Sequence, residues 1–344
     1  MEKPIRVGIV GAGANTRARH IPGLRAISGV EIVAVCNRSR HSSEKVAREF
    51  GIPKVYKHWR ELIESPEIDA VVIGTWPYLH APVTVAALEA GKHVLCEARM
   101  AMNAAEAREM FEASRRRPHL VAQVVPSPVS LHADATIQRL IAEGFLGEIL
   151  AVEVQTHGGF VDQTAPLHWR QEADFSGFNV LSLGIWYEAI MRWIGEATEV
   201  AAMGRTVVPV RRDPESGVLR AVRIPDHVDV LAKMACGAQA HFGLSAVRAF
   251  GGPDVATLFG SDGTLRFSAG ELFGGRRGDS RLRPISIPDA ERGGWRVEEE
   301  FVNAIRGKEK ITRTTFADGL KYMLFTEAVA RSMAERKTVA VSLV

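Results

Sequence analysis

The residues best placed to do chemistry are Gly11-Ala12-Gly13-Ala14-Asn15, which follow Ile5-Arg6-Val7-Gly8-Ile9-Val10, a run of β-branched and apolar residues. Such a run reads as a buried parallel strand, and a glycine-rich turn at its end leading into a helix is a place for an anion. Gly11 permits the tight turn, Gly13 lets the backbone approach a phosphate with no Cβ in the way, and amide N–H groups at the helix start attract the charge. Thr16 stands where a third glycine would complete the usual Gly-x-Gly-x-x-Gly. The pattern predicts a dinucleotide diphosphate held by Gly11, Ala12, Gly13, Ala14 and Asn15.

About two dozen residues on, a second apolar run, Glu31-Ile32-Val33-Ala34-Val35-Cys36, ends in Asn37-Arg38-Ser39, the position that reads the adenosine ribose in such a fold. An acidic residue there would hold the 2′-hydroxyl of NAD. Neutral Asn37 beside cationic Arg38 and small Ser39 suits a 2′-phosphate, which predicts a preference for NADP, with NAD as the alternative. Ligands also gather at the ends of later strands in a doubly wound sheet. The run Asp69 to Gly74 ends in Thr75-Trp76-Pro77-Tyr78-Leu79-His80, and the run His93 to Cys96 ends in Glu97. Thr75, Trp76, His80 and Glu97 are therefore further cofactor-site candidates. His80 reads either as a direct contact or as a helix-entry histidine bonded to local backbone, and Glu97 as a cofactor contact or a loop brace.

The elements that must position these residues alternate strand and helix. Capped helices are predicted at Ser42 to Phe50, which stops at Gly51, and from Asn103, which has capping-box spacing to Glu106. The rhythm continues to a last strand ending at Val125. Beyond Pro126-Ser127-Pro128 the strand-like runs lie close together, with turns at Cys236-Gly237 and Ser261-Asp262, which predicts a mostly antiparallel sheet. With 344 residues, two domains are expected, 1–125 binding NAD(P) and 126–344 binding substrate and other subunits. The fold class is α/β: a Rossmann doubly wound parallel sheet followed by an α+β domain with a large open sheet. The composition is 46% hydrophobic and 24% charged with a net charge of +3, which makes no electrostatic case for nucleic acid or a membrane. Three well-separated cysteines, no signal-peptide core and no apolar run of membrane-spanning length point to a cytoplasmic protein. No histidine, cysteine and carboxylate set has metal-ligand spacing.

The ordered set Gly11-Ala12-Gly13, His20, Asp69-Ala70-Val71, Thr75 to His80, Ala87 to Glu97 with its Gly91-Lys92-His93-Val94, and Gly177 to Gly184 resembles the glucose-fructose oxidoreductase, inositol dehydrogenase and MocA (Gfo/Idh/MocA) family. The likeness spans nearly the whole chain. It implies a Rossmann domain, a second domain with an open sheet, sugar-like substrates, and homo-oligomers, dimers or tetramers, that assemble through that sheet. Dehydrogenases of the family typically carry Glu-Lys-Pro where this chain has Glu97-Ala98-Arg99. Where they have an aspartate followed four residues later by a histidine, it has Ser182 and Trp186.

Positioned acid–base groups contribute ~10²–10⁴-fold to a reaction, so other residues must take over if chemistry is retained. Tyr187 and His157 are the candidate proton carriers. Arg99 can supply the missing lysine's charge, though not its basicity. His168-Trp169-Arg170 and Ser182 are candidate substrate contacts, with Trp186 as an aromatic platform for a sugar face. The leading expectation is an NADP-preferring oxidoreductase of a sugar, polyol or related carbonyl compound with atypical acid–base residues. The alternatives are a catalytically inactive nucleotide-binding sensor of the same fold, and an NAD(P)-linked glycosidase or epimerase using transient oxidation.

Overall fold

The computed structural model describes residues 3–342. Strands β1 (Ile5–Val10), β2 (Val30–Cys36), β3 (Lys54–Val55), β4 (Ala70–Ile73), β5 (His93–Cys96) and β6 (Ala122–Val124) alternate with helices α1 (Ile21–Arg25), α2 (Arg40–Phe50), α3 (Trp59–Glu64), α4 (His80–Glu89) and α5 (Ala104–Arg115). A π turn, Thr16–His20, precedes α1. The sheet order is β3-β2-β1-β4-β5-β6, and its neighbouring strands run parallel. This is the doubly wound sheet the sequence predicts, with the Gly-rich turn at its centre, where the order reverses between β1 and β4.

Local chemistry explains the boundaries. Ser39 caps α2 by accepting the Ser42 N–H at 3.2 Å, and Gly51, at φ 55°, ends that helix. Asn103 accepts the Glu106 N–H at 2.8 Å to open α5. The Gly91-Lys92-His93-Val94 stretch is architectural: the Lys92 ammonium donates to the carbonyls of Ser65 and Ile68 at 3.0 and 2.7 Å, and His93 Nδ1 accepts the Val121 N–H at 2.9 Å.

The chain continues through α6 (Asp134–Ala142), β7 (Ile149–Gln155), α7 (Ala173–Ser176), α8 (Leu183–Ile194), β8 (Ala197–Arg205), β9 (Val210–Arg212), β10 (Leu219–Ala221), β11 (His227–Met234), β12 (Gln239–Ser245), β13 (Val255–Gly260), β14 (Gly263–Ser268), β15 (Glu271–Arg276) and β16 (Arg283–Pro284), then α9 (Val297–Ile305), α10 (Phe316–Glu335) and β17 (Val339–Ala340). A nine-stranded sheet has the order β16-β15-β14-β13-β7-β12-β11-β8-β17. Only the β7–β12 pair in it is parallel. Strand β11 shows how it is covered on one side: Val228, Val230, Ala232 and Met234 are buried, while Leu231 is 52% exposed. Period-two alternation of this kind marks a sheet with one face packed and one open.

Contacts divide the chain into two compact units. The first runs to Pro126 and takes in Arg296–Met323; the second comprises Ser127–Trp295 and the chain from Leu324 onward. The expected second segment, 126–344, is thus not one contiguous body, because α9 and the start of α10 pack with the first unit. The small β9–β10 sheet is a feature the sequence reading did not contain. No helix among the described residues is long and apolar enough to cross a membrane.

Candidate nucleotide site

At the end of β1 the chain turns through Gly11, whose φ of 86° belongs to glycine, and a Cβ there would lie 2.6 Å from the Thr75 amide nitrogen. At Gly13 a Cβ would sit 3.3 Å from the Gly74 carbonyl oxygen. The missing third glycine is accounted for across the sheet rather than along the chain. Thr16 is buried, its hydroxyl donating to the Gly11 carbonyl at 3.3 Å, and a Cβ on Gly74 would come within 2.0 Å of that hydroxyl oxygen. Gly74 provides the close approach that a glycine at position 16 otherwise would.

This turn opens on a cleft of about 490 Å³. Gly11, Ala12 and Gly13 form one side, Asn37 and Arg38 another, and Thr75 and Trp76 a third. Each of these residues was expected at the site. Lys57, His58 and Ser42 also line it, and the sequence reading did not single them out; the only signal was their place just after β3 and at the start of α2. Among the described residues, no aspartate or glutamate lines the cleft. The Thr75 hydroxyl is buried at the cleft wall with no hydrogen-bond partner among the described residues. A glycine cradle that Cβ atoms would fill, together with an orphaned hydroxyl at the wall, fits a dinucleotide.

Other expected contacts have local duties. Asn37 braces the turn: its Oδ1 accepts the Ala12 N–H at 2.7 Å and its amide donates to the Ser42 hydroxyl at 3.0 Å. Arg38 is exposed, with its guanidinium 5.8 Å from the Trp76 ring. Ser39 is committed to capping α2 and does not line the cleft. Ala14 is exposed and outside the cleft lining, and Asn15 turns its amide onto the Glu97 carboxylate. His80 corrects the expectation of a direct contact: it is 0% exposed, with Nδ1 2.9 Å from the Arg99 carbonyl and Nε2 3.0 Å from the Thr75 carbonyl. Burial pushes its pKa down. It ties the loop after β4 to the loop after β5 and does not touch the cleft.

Glu97 is the hub of the second loop. Besides Asn15, it meets His20 Nε2 at 2.9 Å, and His20 Nδ1 lies 2.5 Å from Glu298 Oε1 on α9. His20 is fully buried. Burial opposes its charge, but hydrogen bonds to Glu298 and Glu97 outweigh that and raise its pKa to about 9. Glu97 is lowered against the pull of burial, chiefly by its hydrogen bond to His20. Arg99 follows Glu97 through a cis Ala98–Arg99 peptide and belongs to this first unit.

The substrate-side candidates lie in the second unit. Tyr187 is not a proton carrier: it is 0% exposed, stacks on Phe325 at 3.6 Å between ring centres, and its oxygen accepts the Ala197 N–H at 2.9 Å. Burial pushes its phenol well above the ordinary range. Trp186, 3% exposed, is core and offers no open face to a sugar. Apolar helix faces seek burial, and α8 turns both side chains inward. Ser182 sits at the opening of α8 without a side-chain capping bond. His168 caps the short turn Trp169–Gln171, accepting the Arg170 N–H at 3.2 Å, and Arg170 lies 4.3 Å over the Trp169 ring. His157 differs: its backbone N–H donates to Asp254 at 3.0 Å, while its buried Nδ1 has no hydrogen-bond partner among the described residues.

Two family models match the chain: "Oxidoreductase family, NAD-binding Rossmann fold" over residues 5–125, and "GFO/IDH/MocA C-terminal domain" over residues 135–266. The 1,5-anhydro-D-fructose reductase of Ensifer adhaerens is 31% identical over 229 residues, which cover 65% of this chain and 67% of the reductase. The chain belongs to the Gfo/Idh/MocA family. An oxidoreductase of Rhizobium meliloti, ORF334, is 29% identical over 191 residues, 55% of this chain and 56% of its own, so this chain matches little more than half of that relative. The structure of levoglucosan dehydrogenase in complex with NADH and L-sorbose shares the fold at TM-score 0.86 and 23% identity, covering 98% of this chain and 99% of that one.

Proposed function

We propose that this protein is a nicotinamide-dependent oxidoreductase of a sugar, polyol or related carbonyl compound, with NADP(H) preferred. The observation that carries the reading is the glycine-built cleft at the end of β1, bordered by Arg38 and Lys57 and, among the described residues, by no carboxylate. A 2′-hydroxyl is ordinarily held by an acidic residue at this place, whereas a 2′-phosphate is matched by cations. When bound, the cofactor supplies hydride-transfer chemistry. The chain's own part is to receive the diphosphate on the amides of the Gly11–Gly13 turn, to offer the Thr75 hydroxyl from the wall, and to hold the loop of Glu97 through His20 and His80. Of the two side chains expected to handle a proton, His157 remains, its buried Nδ1 without a hydrogen-bond partner among the described residues. The sugar class is supported by the named relatives, an anhydrofructose reductase and a dehydrogenase solved with L-sorbose.

Assembly through the open face of the nine-stranded sheet belongs to the same reading, supported by Met203 at 79% and Leu231 at 52% exposure. A cytoplasmic setting is supported by Cys36, Cys96 and Cys236, all free thiols. A second reading, a nucleotide-binding sensor without turnover, is favoured by one observation: Tyr187 and Trp186 are core, so neither replaces the absent family acid–base groups. Fluorescence titration with NADPH and NADH, followed by deuteride exchange against a panel of sugars and oxidised sugars, tests both. Tighter NADPH binding with exchange is expected; tight binding without exchange on any substrate would establish the sensor.

A further inference from the structure

The buried chain Glu298–His20–Glu97–Asn15 runs from α9 to the helix opening that follows the Gly-rich turn. Three observations show that it is built. Both ring nitrogens of His20 face carboxyl oxygens, at 2.5 and 2.9 Å, and a neutral imidazole has only one N–H to give, so two ionised carboxylates are both satisfied only by the imidazolium. The ring is wholly buried and Glu298 is 4% exposed, so water does not reach the ring nitrogens or replace the bond to Glu298. Gly23 on α1 makes the approach possible, since a Cβ there would lie 2.9 Å from the Glu298 carboxyl oxygen.

Resting on the dinucleotide reading of the cleft, we propose that His20 is a positioning residue for cofactor binding. Its imidazolium, held between Glu97 and Glu298, keeps Glu97 turned onto Asn15 and so fixes the helix opening beside the diphosphate site. It also balances one of two carboxylates that would otherwise repel a polyanion. The charged groups facing the ring are Glu97 from the end of β5 and Glu298 from α9; His80, on α4, is the other titratable group near Glu97, and burial pushes its own pKa down. Losing the His20 proton leaves the buried Glu298 carboxylate and the half-buried Glu97 carboxylate with one N–H between them, and one of the two contacts must break. The raised His20 pKa, about 9, locates this event in alkaline solution.

The test is the dissociation constant of NADPH between pH 6.5 and 10 for the intact protein and for His20→Gln, Glu298→Gln and Gly23→Ala. In the unaltered protein affinity falls as pH rises through about 9, by on the order of tenfold. In His20→Gln the affinity is already reduced by a similar factor at pH 7, and the step near 9 disappears. Gly23→Ala, which displaces Glu298 without altering His20 or Glu97, moves the step to lower pH, as does Glu298→Gln. Because the step is read in the unaltered protein and in two variants that keep His20, poor folding of His20→Gln does not remove the test. A step that survives in His20→Gln, or an unaltered protein whose affinity is flat across the range, overturns the role of His20. No NADPH or NADH binding at any pH overturns the dinucleotide reading instead.

Discussion

Protonation of His20 has a consequence for stability that requires no cofactor. An unfolded histidine titrates near 6.5, and His20 in the folded first unit titrates at about 9. At about 1.4 kcal/mol per pH unit, the difference is worth about 3 kcal/mol. Its folded pKa is raised, so the contribution is fully present below pH 6.5, erodes as pH rises, and is lost above about 9. Two compact units do not guarantee one unfolding transition, so the measurement is hydrogen-exchange mass spectrometry in a urea series, following peptides from β1, β4 and β5. Between pH 6 and 10 those peptides in the unaltered protein lose about 3 kcal/mol more than the same peptides in His20→Gln. Equal losses in the two proteins would show that His20 is neutral at pH 7 and would refute the argument from its two carboxylate partners.

Other perturbations separate packing from chemistry. Tyr187→Phe strands the buried Ala197 N–H, costing about 1–3 kcal/mol in the second unit while leaving deuteride exchange unchanged; a loss of exchange at full stability would restore Tyr187 as a proton carrier. Arg38→Ala weakens NADPH by on the order of ten- to a hundredfold and NADH far less, as measured by fluorescence titration, and an equal loss for both would remove Arg38 from the 2′-phosphate. Gly74→Ala drives a methyl against the Thr16 hydroxyl and, at 2.3 Å, the Gly11 carbonyl oxygen. It should abolish measurable nucleotide binding in calorimetry, and adding Thr16→Gly should not restore it, because the second clash is with backbone. His157→Gln is expected to lower the exchange rate by about 10²-fold or more with cofactor affinity intact; unaltered exchange would place the proton elsewhere.

Much of the molecule follows from short stretches of chain. Strands β1, β2, β4 and β5 are continuous apolar runs because a parallel sheet is covered on both faces, and the β11–β12 and β13–β14 hairpins are announced by alternation around Gly237 and Asp262. The Gly-rich turn is legible for the same reason, since Gly11 and Gly13 shape it through their own backbone. What the chain in one dimension does not reveal is which distant group fills a space or supplies a charge. Gly74 makes room for Thr16, and Glu298, 278 residues from His20, completes a buried ion cluster that no spacing rule announces. The same holds for Tyr187 and Trp186, whose residue types are equally suited to a proton or sugar site and to a core. Packing against Phe325 and the sheet decided for the core, because desolvating these rings on the inner face of α8 is worth more than any exposure there. Sequence determined the main strands and helices and the Gly-rich turn; tertiary contact decided which polar groups are paired and which are buried without a partner.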